Sequence, residues 1–272
     1  MPPLSVSSAI DAILSPPTYI DGKPKPYYRG LIHGSFFFIF TLATAISFVK
    51  VLHISIEDEI EDESSQPDPD PAHSLKHLQY FGLTALFFGK ALSYFASALL
   101  HLFPFKSSLF VTKALKFDLI AIAVSIGFTA LPFINTRSEG LLVFGLTVGF
   151  VIIQLLSVEW QFFRHIGLDT PENRTDIPRN FILIIQFLYT CSLIGKNLGY
   201  SNIFWATFVA YAVSFSLAGP VTASHEHEPV VSFFKWHKVK VWSLHEDFHA
   251  ALLVSDLMMI YMAVGKMQNG EI

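Results

Sequence analysis

Two histidines near the C-terminus stand four residues apart at the start of an apolar segment. They are His245 and His249, and the segment continues from them to Val264. On a helix, residues with this spacing lie one turn apart on the same face, which lets one helix present two imidazoles to a single metal ion. Because a polar side chain at membrane depth is costly unless it has a partner, the pair predicts a functional site.

Three further polar residues fall at a similar predicted depth. Ser97 and His101 lie one turn apart at the end of an earlier apolar segment, and Asp118 follows 17 residues after His101. At 1.5 Å per residue, Asp118 would lie roughly 15 Å into the bilayer, and His245 and His249 roughly 7 to 14 Å. His101 would lie within one turn of the same surface. Each residue alone could serve a helix–helix hydrogen bond. Together, three neutral imidazoles, a carboxylate and water suit a catalytic Zn²⁺.

The composition indicates a membrane protein. Apolar residues make up 52% of the chain, charged residues 15%, and the mean hydropathy is +0.47, which lies outside the range of ordinary soluble domains. A net charge of -4 gives no basic field for nucleic acid. The single cysteine, Cys191, excludes an internal disulfide and a thiolate metal cluster. The first 26 residues are polar and contain no apolar core of a cleavable signal peptide.

Seven apolar segments, each near the ~20 residues that a bilayer core requires, predict an all-α integral membrane protein with a seven-transmembrane helix bundle. They cover about residues 31–51, 74–103, 108–131, 138–160, 180–194, 201–217 and 241–264. Residues 1–28 are expected to form a flexible cytosolic arm, residues 29–266 the membrane domain and residues 267–272 a short tail. The acidic, proline-rich stretch at about 54–73 is expected to be a solvated, mobile outer loop.

The distribution of basic residues predicts the orientation of the bundle. Of the 18 Lys and Arg residues, twelve fall in or near the N-terminal arm and the connections after the second, fourth and sixth segments, on one side of the predicted bundle. Five fall on the other side, and Lys90 lies inside the second segment. Positive charge stays on the cytosolic side, so the N-terminus is expected in the cytosol and the C-terminus outside the cell or in an organelle lumen. The sequence does not distinguish the plasma membrane from an endomembrane.

The spacing Ser97-xxx-His101, then Asp118, then His245-xxx-His249 resembles the hemolysin III / progestin and adipoQ receptor family. This family belongs with the alkaline ceramidases to a superfamily of seven-span metal-dependent hydrolases. The segment from Lys25 to Gly34 is also similar to the start of the first span in many hemolysin III chains. The resemblance covers roughly residues 25–264.

The resemblance implies a role for each residue of the motif. His101, His245 and His249 would be the zinc ligands. Asp118 would hold or deprotonate the zinc-bound water, and Ser97 would polarise the substrate or support the ligands. The sequence departs from the family in its long acidic loop and in the polar pair Ser255-Asp256 within the last segment.

By this resemblance, the chain is expected to be a zinc-dependent membrane lipid hydrolase. It would act on an amide or ester bond, with ceramidase-like chemistry and zinc-bound hydroxide as the nucleophile. A membrane lipid would be its substrate or ligand. One alternative is a receptor of the adiponectin or progestin type, in which the zinc is structural. A pore-forming hemolysin is the weakest alternative, since polar residues in the spans fall chiefly in one half of the bilayer.

Other patterns carry weaker signals. His245-Glu246-xx-His249 also fits the metalloprotease motif, but the acidic third ligand that an intramembrane protease requires is not recognisable. His225 and His227 have the spacing of a surface metal site, but a solvated turn is the favoured interpretation. His33, considered alone, is interpreted as a structural residue of the first span.

Overall fold

The structure is a computed structural model that describes residues 27–62, 71–102, 108–159, 177–223 and 244–269. These residues form seven α-helices and one 3₁₀ turn, and none of them forms a β-strand. The helices are α1 (Tyr27–Asp62), α2 (Pro71–Leu102), α3 (Ser108–Phe128), α4 (Arg137–Glu159), α5 (Ile177–Leu198), α6 (Asn202–Ala223) and α7 (Leu244–Asn269), with the 3₁₀ turn at Leu131–Phe133 between α3 and α4. Most of the predicted N-terminal arm, His225, His227 and the end of the predicted tail lie outside the described residues.

Six of these helices are long and apolar enough to cross a membrane, and α6 carries a shorter described apolar stretch, Asn202–Ser214. Their outward faces are apolar: Phe38 is 71% exposed and Leu141 is 74% exposed. Polar side chains such as those of Gln154 and Gln186 are buried inside the bundle instead. An apolar outer surface, with polar side chains turned into the bundle, is the arrangement expected of a helical, multi-pass membrane protein.

Two predicted boundaries are wrong. Helix α1 continues through Glu57 to Asp62, where the sequence predicted a loop. No glycine or proline interrupts residues 35–66, so nothing in the backbone stops the helix when its composition changes; residues 63–70 lie outside the described part. Helix α6 likewise continues past Gly219 and Pro220 to Ala223, because a proline inside a membrane helix can be accommodated rather than ending it.

The core lies where α2 meets α3, the 3₁₀ turn, α5 and α7. Its most deeply buried apolar side chains include those of Leu86, Phe133, Ile194 and Met262. Helix α2 packs closely against its neighbours because it offers glycines at the contacts: a Cβ on Gly82 would collide with the backbone of Leu131. Small residues at helix interfaces allow the close approach on which packing inside a membrane depends.

Polar contacts join four elements at one end of the bundle. Lys266 Nζ of α7 donates hydrogen bonds to the carbonyl oxygen of Phe133 at 2.7 Å and to Asn135 Oδ1 at 2.8 Å. The backbone N–H of Asn135 donates to Glu139 Oε2 at 3.0 Å, and Asn197 Nδ2 of α5 donates to the same oxygen at 3.3 Å. These hydrogen bonds connect the ends of α5 and α7 with the turn between α3 and α4. The histidine motifs lie at the opposite ends of α2 and α7.

Candidate functional site

Helices α1, α2 and α7 meet at His33, Ser97 and His249. Ser97 Oγ and His33 Nε2 share a hydrogen bond of 3.4 Å, whose donor depends on the imidazole tautomer. The rings of His33 and His249 are in edge-to-face contact, with centroids 4.1 Å apart. His33 is 1% exposed. Two residues that the sequence places on different spans, Ser97 and His249, therefore lie on either side of one buried imidazole.

The packing of α2 against α7 extends this convergence to the remaining histidines. Tyr94 contacts Asp256, while Ser97 and His249 flank His33, so the two helices run antiparallel. One further turn toward the same end of the bundle reaches His101 on α2 and His245 on α7. Extended along the two helices, this register places their backbones at a similar level. The side chains of His101 and His245 lie outside the described part of the structure.

Asp118 joins the site through the packing of α3 against α2. Gly89 faces Ser125, and Phe95 contacts Phe117 with ring centroids 6.2 Å apart. These contacts show that α2 and α3 run antiparallel. Along the helix axes, Asp118 therefore lies within one helical turn of the position of Ser97. Because Asp118 is seven residues from Ser125, it lies on the same face of α3, the face that packs on α2.

The carboxyl group of Asp118 has an unused hydrogen-bonding atom. Its Oδ1 is shielded from solvent and accepts no hydrogen bond from any residue that the structure describes. A shielded carboxylate oxygen is costly unless a donor reaches it. A donor such as a metal-bound water would satisfy this atom.

These residues fit a zinc ion in the chemistry of their donors. Imidazole nitrogens with a nearby carboxylate suit Zn²⁺. The single cysteine, Cys191, is buried on α5 within the apolar core cluster and is not one of the predicted ligands. Among the described side chains, no three or more of His, Cys, Asp and Glu gather into one ligand cluster. Two of the three predicted ligands, His101 and His245, are not among those side chains.

A second polar cluster lies farther along α2 and α7, where α6 also contributes a residue. Lys90 Nζ of α2 lies 2.7 Å from Asp256 Oδ1 of α7. The hydroxyl group of Tyr211 on α6 donates to Asp256 Oδ1 at 2.6 Å, and that of Tyr94 donates to Asp256 Oδ2 at 3.2 Å. The ammonium group also lies 5.7 Å from the centre of the Tyr211 ring. All four residues are buried.

Sequence reasoning assigned none of this deeper cluster to the site, and it interpreted His33 as structural. A signal was present for two of these residues. Lys90 is a basic residue in the middle of the second predicted segment, and Asp256 is an acidic residue inside the last. Ionisable residues inside membrane spans usually pair with one another, so a basic and an acidic residue in two spans are expected to be partners. His33 gave no comparable signal, since a lone histidine near a helix start has many structural uses.

No family profile, curated protein or solved structure significantly matches this chain.

Proposed function

We propose that this chain is a seven-span, zinc-dependent membrane hydrolase that cleaves an amide or ester bond of a lipid. The observation that carries the proposal is the meeting of Ser97, His33 and His249, with Asp118 at the same level on α3. Polar groups of this kind inside a membrane bundle mark functional sites. Their residue types are those of a metal hydrolase rather than of a helix-packing contact.

The zinc would be held by His101, His245 and His249. When bound, Zn²⁺ supplies Lewis acidity and lowers the pKa of a coordinated water toward neutrality. Asp118 would accept the proton of that water through its shielded Oδ1, and Ser97 would donate a hydrogen bond to the carbonyl group of the lipid. His33 would keep the His249 ring in one orientation through their edge-to-face contact.

The proposal includes seven spans with a cytosolic N-terminus. Helix α6 has 22 residues, close to the ~20 that cross a bilayer core, and we take it as the sixth span. Lys and Arg are then concentrated on the side where the N-terminus and the His101 and His245 ends of α2 and α7 lie. In this orientation the site opens toward the cytosol, and its substrate is a lipid of the cytosolic leaflet.

Metal analysis of the protein purified in detergent tests the proposal. The wild type is expected to carry about one zinc per chain, because the site supplies the three ligands of a catalytic zinc. The double variant His245→Ala/His249→Ala is expected to carry none. His53→Ala, which removes an exposed histidine of α1, is the matched control and should keep the metal. Full zinc occupancy in the double variant would contradict the assignment.

A lipid-turnover screen with the same preparations tests the reaction. Ceramides and glycerolipids supply the amide and ester bonds in question. Hydrolysis by the wild type, absent in the double variant, is the expected result. A wild type that holds zinc and hydrolyses no lipid in the screen would instead favour a receptor with a structural zinc.

A further inference from the structure

The buried cluster around Asp256 joins three helices through a single carboxylate. Lys90 and Tyr94 reach it from α2 and Tyr211 reaches it from α6, at distances between 2.6 and 3.2 Å. The side chains of Lys90 and Asp256 are 6% and 2% exposed. The carboxylate on α7 therefore has a charged partner and two hydroxyl donors in one fixed arrangement.

This cluster permits only one axial position of α7 against α2. A slip of α7 against α2 by one helical turn is about 5.4 Å, which would separate Asp256 from both Lys90 and Tyr94 on α2. An uncompensated charge in a buried site is strongly destabilising. Apolar contacts inside a membrane do not select one axial position as strongly, because lipid tails are as apolar as leucine. Polar groups at core positions are known to fix the register of packed helices in this way.

The cluster and the histidine site share the same helix faces. Lys90 precedes Ser97 by seven residues, and Asp256 follows His249 by seven residues. Seven residues are about two turns, or roughly 10 Å, and return to the same face. An axial shift at the ion pair would therefore move His249 past Ser97 by the same distance.

We propose that Lys90 and Asp256 are positioning residues, which set the register in which α2 and α7 bring their histidines together. Tyr94 and Tyr211 hold the carboxylate of Asp256 in place for this purpose. The metal-binding consequence rests on the proposed function, whereas the register itself does not. Sequence separation hides the relationship, since the two charges are 166 residues apart.

The test removes both charges at once. A single variant would leave one charge buried without its partner, and the protein could fail to insert. Lys90→Met/Asp256→Leu replaces the pair by apolar groups, which is often tolerated in terms of stability. Lys266→Met is the matched control, because Lys266 is also a buried, hydrogen-bonded lysine but lies at the other end of α7.

The register is measured between two spin labels in a Cys191→Ala background, which removes the single native cysteine. The labels are placed by Phe81→Cys on α2 and Val254→Cys on α7, at positions that are 57% and 54% exposed. They are offset along the helix axes by roughly 18 Å, so an axial slip changes the distance between them. Zinc affinity is measured in parallel by competition with a chelator.

The Lys90→Met/Asp256→Leu variant is expected to show a broadened or shifted label distance and a loss of zinc affinity of at least about tenfold. Lys266→Met should retain the wild-type distance and affinity. An unchanged label distance in the double variant would overturn the proposal, as would a changed distance with unchanged zinc affinity. A wild type that binds no zinc would instead refute the proposed function, and the label distance would then decide the register alone.

Discussion

His33 of α1 and His249 of α7 lie in edge-to-face contact, with ring centroids 4.1 Å apart. The two residues are separated by 216 positions. The contact brings the first described helix to the last, and the hydrogen bond of His33 to Ser97 includes α2 as well. The N-terminal helix is thus part of the wall of the candidate site.

Removal of His33 should weaken zinc binding. The His249 ring would lose the neighbour that restricts its orientation, and residues that support metal ligands typically contribute ~10- to 100-fold to metal affinity. We therefore expect His33→Ala to bind zinc ~10- to 100-fold more weakly in a chelator competition. His77→Ala, which removes a histidine that hydrogen-bonds Ser55 near the other end of α2, is the control. Equal affinities of His33→Ala and the wild type would refute this role.

Asp118→Asn should separate catalysis from metal binding. The asparagine keeps the size of the side chain but cannot accept the proton of a metal-bound water. Loss of a general base typically reduces the rate ~10²- to 10⁴-fold. We expect this variant to retain zinc and to lose lipid hydrolysis by that factor, whereas His101→Ala should lose both. Hydrolysis at the wild-type rate by Asp118→Asn would show that this carboxylate is not the base.

Gly82→Ala should destabilise the bundle. The added methyl group would collide with the backbone of Leu131 and Pro132, which cannot move aside as a flexible side chain can. Overpacking of this kind typically costs about 1–3 kcal/mol, which thermal unfolding in detergent would register as a lower midpoint. Gly145→Ala is the matched control, since no described atom outside its own stretch of helix lies within 4 Å of a Cβ at that position. Equal unfolding temperatures of the two variants would contradict the close packing of α2 at Gly82.

The orientation can be tested with accessible tags. The charge distribution predicts that a tag inserted near Ser64 is reached by an antibody from outside the cell, or from the lumen of an organelle. A tag before Arg29 should be reached only after the membrane is permeabilised. The opposite labelling pattern would reverse the orientation and with it the prediction that the site opens to the cytosol.

The sequence predicted the helical class and the positions of the helices well, because long apolar segments are set by the thickness of a bilayer. It failed where only a change of composition marked an end, as at Glu57, since acidic residues do not themselves stop a helix. The sequence predicted a similar depth for Ser97, Asp118 and His249 from the span positions alone. Opposite charges inside two spans gave a signal for the pairing of Lys90 with Asp256, whereas the contact of His33 with His249 gave none, because it depends on the register between distant helices.

The most direct test of the account is the rate of lipid hydrolysis before and after removal of zinc. A chelator strips the metal from the purified wild type, metal analysis confirms its loss, and stoichiometric Zn²⁺ is then returned. We expect hydrolysis to fall at least ~10²-fold on removal, because the Lewis acid that activates water is lost, and to recover on return of zinc. A rate that stays unchanged in protein shown to be free of zinc would contradict the proposed function.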